Sequence, residues 1–185
     1  MRYLVTTTLL ALAWASTTHA QEAADPLEYE KIIHIEGADA GELYARARIW
    51  FVEVFNDSES VLELEDADAH ILMGKGAFQH SSCNFVGIGP ECAVGKIRFT
   101  IRVDTKDGRA RATLSQLTHE TPACPDNDYG LITDAPSPGK CVPTCTWPKA
   151  RQNCWEELKA AIPPKVEELH ASLKSRISQP STDDW

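Results

Sequence analysis

"KIRFTIRVDTKDGRARATLSQL", Lys96 to Leu117, decides how this chain folds. Ile97, Phe99, Ile101 and Val103 fall on one side of an extended backbone, and Lys96, Arg98, Thr100 and Arg102 on the other. Successive side chains of a strand point to opposite faces, so this alternation reads as a strand with one buried face. Asp107-Gly108 then marks a tight hairpin turn, because glycine accepts a positive φ at no steric cost. The return strand continues with Ala110, Ala112 and Leu114 inward.

Upstream, "YEKIIHIEG" (Tyr29–Gly37) sets Ile33 and Ile35 against His34 and Glu36, a second half-buried strand. "GADAGELYARARIWFVEVFN" follows, with Asp39 placed to cap a helix and Glu42 to complete a capping box. Leu43, Ala47, Trp50 and Val54 recur at helical spacing, and Tyr44 and Phe51 widen the stripe. "SVLELED" alternates again, Leu62 and Leu64 against Glu63 and Glu65. A turn near Asp66–Asp68 leads into "HILMGKGAFQH", a further strand.

Downstream, residues 118–151 are proline-rich and irregular. A loop of that length is usually functional or stapled. Helical spacing resumes at Trp155, Leu158 and Ile162. Pro163-Pro164 is expected to interrupt it, since proline lacks an N–H and clashes with the preceding turn. A new helix would then carry Val166, Leu169, Leu173 and Ile177, before the tail "SQPSTDDW" frays. The order is strand, helix, four strands, irregular segment, helix. That predicts an α+β fold, a five-stranded antiparallel sheet covered on one face by two helices.

The chain of 185 residues opens "MRYLVTTTLLALAWASTTHA", with one base, an apolar run from Leu4 to Ala15 and small residues before Ala20. This is the layout of a secretory signal peptide cleaved after Ala20. The run is too short to span a bilayer core of roughly 30 Å. The expected organisation is a signal peptide over 1–20, an arm over 21–31, the sheet-and-helix core over 32–120, a cysteine- and proline-rich segment over 121–153, C-terminal helices over 154–178 and a tail over 179–185. Formal net charge is −9, and removing the signal with its single base takes it to −10. Such a chain has no overall attraction for nucleic acid or anionic lipid.

All six cysteines, Cys83, Cys92, Cys124, Cys141, Cys145 and Cys154, lie beyond the signal. An even count in an exported protein reads as a disulfide framework, although six cysteines allow fifteen pairings. Cys83 and Cys92 flank a turn-rich loop that they could close. The remaining four would tie the segment 124–145 to the last helix at Cys154. One C-x₃-C pair without a second close pair does not make a zinc site. No metal and no cofactor is therefore expected.

"GADAGELYARARIWFVEVF", "SVLELEDADAHILMGKGAF" and "FTIRVDTKDGRARATLSQLTHE" together resemble the domain of unknown function 4468, which has a TATA-binding-protein-like fold. The resemblance runs from Ile32 to Glu120 and includes Gly74–Gly76 and the Lys106–Arg109 turn. It implies an exported bacterial protein and carries no established activity. The cysteine-bearing loop and Cys124–Cys154 depart from the family pattern. The fold name does not imply DNA binding, since function resides in sites rather than folds.

Other constellations are weaker. "GPECAVGK" fails as a phosphate loop because Pro90 occupies the first glycine's place and Ile97 that of serine or threonine. "DADAH" (Asp66–His70) offers alternating oxygen and nitrogen donors but lacks the calcium-loop glycine. His34, His70, His80, His119 and His170 stand singly, and no G-x-S-x-G element exists, so no catalytic residue is assigned. Lys96, Arg98, Arg102, Arg109 and Arg111 could form a basic patch for an anion or acidic partner; cross-strand pairing with Glu63 and Glu65 is the plainer expectation. The function expected is that of a non-catalytic periplasmic or secreted binding protein, an envelope-associated component of unknown ligand. The alternatives are a carrier of a small apolar molecule between sheet and C-terminal helix, and an enzyme whose site converges only in three dimensions.

Overall fold

A computed structural model describes residues 24–55, 61–81, 94–122, 125, 128–139 and 148–179. The expected signal peptide, Cys83, Cys92, Cys124, Cys141 and Cys145 lie outside the described residues. Strand β1 (Tyr29–His34) leads to helix α1 (Ala40–Val54), strands β2 (Val61–Asp66), β3 (Ile71–Ser81), β4 (Val94–Lys106), β5 (Arg109–Glu120) and β6 (Gly130–Leu131), then helix α2 (Pro148–Ile177). The strands form one antiparallel sheet in the order β1-β5-β4-β3-β2, with β6 also paired to β5. Both helices pack against this sheet around a single core.

The central hairpin forms as its alternation dictates. Ile97, Ile101, Val103, Ala110, Ala112 and Leu114 are buried, and Gly108 takes φ +73° at the turn. The turn also positions α1. Gly108 N–H donates to Ala38 O, Ala40 N–H donates to the Asp107 carboxylate, and Thr105 Oγ1 donates to Ala40 O. Asp39 caps the helix by accepting Glu42 N–H at 2.8 Å. The Glu42 carboxylate pairs with Arg46 one turn on, so the expected capping box is only half formed. Arg46 is itself buried and donates to Ile177 O at the end of α2, where a cation meets unpaired helix carbonyls.

Two irregularities flip faces that strict alternation would preserve. The β2–β3 register shifts between Leu62 and Leu64. One extra residue in a period-two strand moves every later side chain to the opposite face. Leu64 is consequently 43% exposed, and Glu65 turns toward α1, where it pairs with Arg48. A second shift lies opposite Phe99, with Gln116 at φ +54°. It turns Leu117, His119 and Thr121 inward.

Several expected boundaries change. The sheet has six strands rather than five, because β6 interrupts the segment expected to be irregular. β1 begins at Tyr29, inside the expected arm, and α2 begins at Pro148 rather than at residue 154. Proline suits the first helical position, where its missing N–H has no partner to lose. Pro163 and Pro164 lie inside α2 and do not end it. Both are exposed, and proline on the outer side permits a helix to bend around a core.

Candidate functional site

A groove of about 410 Å³ opens between β3 and α2. Among the described residues, β2 pairs β3 as far as Lys75, and the groove lies beside the next residues of β3. Ala77, Phe78 and Gln79 form one wall, Lys165, Glu168, Leu169 and Ser172 the other, and Val54 the end. Gly76 precedes this stretch of β3. A side chain there would sit 2.6 Å from Phe55 and 2.7 Å from Phe99, so only glycine lets both rings close over the backbone. Phe78 stacks on Phe99 with centroids 4.4 Å apart, and Phe55 stacks on Phe51.

The lip is polar. Lys165 Nζ meets Glu168 at 3.3 Å, and Trp50 Nε1 donates to Ser172 Oγ at 3.0 Å. Val54 and Leu169 were expected in the buried stripes of their helices. Val54 is instead 40% exposed and Leu169 only half-buried, and both line the groove. An apolar cleft with a few polar groups at its rim is the common form of a small-molecule site.

The basic hairpin face is paired. Arg98 meets Glu120, Arg102 lies against Asp104 at 2.7 Å, and Arg111 reaches Asp104 at 3.3 Å and Glu30 at 3.9 Å. Hydrogen bonding from Arg102 holds the Asp104 carboxyl below its ordinary range. Neither expected acid takes part: Glu63 pairs with Lys75, and the bulge carries Glu65 to Arg48. Lys96 lies opposite Glu120 in the β4–β5 ladder, and Arg109 is exposed at the hairpin tip. The five residues share one hairpin, but its charges are largely answered by acids on the same strands.

Cys154 is buried on α2. Among the described residues, no group of three metal-ligating side chains converges. Asp66 closes the "DADAH" turn by accepting Ala69 N–H at 2.9 Å, and His70 takes φ +54°. Gly95 and Lys96 of the rejected phosphate loop belong to β4. His34 is exposed, whereas His170 is buried with no hydrogen bond to either ring nitrogen, its Nδ1 4.0 Å from Glu167, and burial lowers its pKa. Sequence reading missed a pairing of His80 with His119, whose rings stand 5.9 Å apart beside Gly95. The only signal was the parity of two strands, which the bulge at Gln116 reverses. No helix among the described residues is long and apolar enough to cross a membrane.

The fold recurs in solved structures. A TBP-like protein from Parabacteroides distasonis superimposes with a TM-score of 0.57 at 13% identity, covering 84% of this chain and 94% of the other. A DUF4468 family protein from Bacteroides ovatus gives 0.51 at 14% identity, covering 84% and 90%. No curated protein matches. The family model described as "Domain of unknown function (DUF4468) with TBP-like fold" matches residues 29–120, from the first residue of β1 to the last of β5. Through that segment, the chain belongs to the DUF4468 family.

Proposed function

We propose that this chain is an exported, disulfide-stapled binding domain that holds a small apolar molecule in the groove between β3 and α2, without catalysing a reaction. The groove carries the reading. Its volume of about 410 Å³ falls within the range of small-ligand pockets, roughly 300–1,000 Å³, and Val54, Ala77, Phe78 and Leu169 supply its apolar lining. The polar groups at its lip are already engaged, Lys165 with Glu168 and Ser172 with Trp50, which suits orienting a ligand's polar end better than attacking it. Export is supported by the N-terminal pattern of charge, apolar run and small residues, and by six cysteines in an acidic chain. Envelope association is the setting such a carrier would occupy.

Native mass spectrometry of protein isolated from the envelope fraction tests the whole reading. A chain beginning at Gln21, lighter than its reduced form by about six hydrogens and carrying a co-purified small molecule, is expected. An unprocessed chain with free thiols and no bound molecule would refute it.

A further inference from the structure

Residues 128–135, including β6, form a strap along the edge of β5. Ile132 N–H donates to Leu117 O at 2.8 Å, and Asp128 accepts the Thr121 hydroxyl at 2.7 Å. On its outer side the strap meets the N-terminal arm, with Leu27 N–H donating to Ile132 O and Asp134 N–H to Asp25 O. On its far side it holds α2: Trp155 Nε1 donates to Ala135 O at 2.9 Å, and Lys159 Nζ to the same carbonyl at 2.7 Å.

At the strap's start, Tyr129 N–H donates to His119 Nδ1 at 3.3 Å. That bond fixes the tautomer. A ring nitrogen that accepts carries the lone pair, so the proton of the neutral ring sits on Nε2. His119 is 1% exposed, and Nε2 has no hydrogen-bond partner. A second proton can enter only at Nδ1, where it would turn the acceptor into a donor facing the Tyr129 N–H.

We propose that His119 is a proton-operated latch: a proton arriving at Nδ1 breaks the Tyr129 bond and releases the strap from the edge of β5. The surroundings set its operating range. Burial, and His80 on β3, push the His119 pKa down to about 4, against the opposing pull of Asp128 on the strap and Glu120 on β5. His80 is itself lowered by burial, with Glu157 on α2 opposing. β4 contributes Gly95 beneath the ring, which carries no charge. Once the strap lifts, the ring reaches water and regains an ordinary pKa near 6.5, so acid favours the open form.

Amide hydrogen exchange of the segment 129–132 in the full mature chain, corrected for intrinsic rates, reads the latch. Opening should rise on the order of twentyfold between pH 7 and pH 5. In His119→Asn, whose Oδ1 can still accept from Tyr129 but cannot titrate, the strap should open equally at both pH values. An unchanged wild-type strap, or wild-type pH dependence in the variant, would overturn the proposal. Should the variant fail to fold, NMR titration of the wild-type His119 ring decides: strap amides must open as the ring charges, and a ring that titrates beside an unaltered strap rejects the latch.

Discussion

The Asp107 carboxylate accepts the backbone N–H of Ala40 at 2.9 Å, joining residues 67 positions apart. The hairpin tip thereby serves a second helix cap, beside the one Asp39 gives to Glu42. A turn that sequence alone reads as a chain reversal is also the socket for α1. Asp107→Ala should cost about 1 kcal/mol, the usual effect of losing such a side-chain cap. Urea unfolding measures it, and no loss would mean that the contact contributes nothing.

Gly76 lies under two rings, Phe55 and Phe99. Gly76→Ala must displace one of them, at a cost of roughly 1–3 kcal/mol for overpacking. Thermal or urea denaturation shows it, and a neutral result would mean that the rings adjust freely.

The arginines of the hairpin face sit beside acids, so Arg98→Gln with Arg111→Gln should lower stability by about 1 kcal/mol or less, as exposed pairs do. A gain in stability would instead reveal uncompensated repulsion. Asp104 adds a pH dependence. Its carboxyl is lowered in the fold, so its contribution is present above the ordinary carboxylate pKa and is lost as pH falls through the folded value.

The hairpin, the capped helix and most of the core were legible because period two and period three-and-a-half survive along Ile97–Val103 and Leu43–Phe51. What escaped reading shares one cause. Bulges at Glu63 and Gln116 insert a residue that alternation cannot announce, and each reverses the face of all that follows. Thus Glu65 was assigned to the wrong partner and His119 to no site. The short β6 lacks enough residues to show any period. Pro163 and Pro164 signalled a break that their exposed position makes unnecessary. The groove was half legible: Val54 and Leu169 have the spacing of core residues, but Val54 closes α1 and Leu169 is only half-buried, and both line the cleft.

Binding in that groove is measured most directly with 1-anilinonaphthalene-8-sulfonate as the probe, comparing wild type with Val54→Trp. Val54 is 40% exposed at the end of the groove, so the larger indole occupies the cleft with little change to the core. The account predicts saturable binding to the wild type and at least a tenfold weaker affinity in the variant, at an unchanged unfolding midpoint. Equal affinity in the two proteins, or no saturable binding to the wild type, would contradict it.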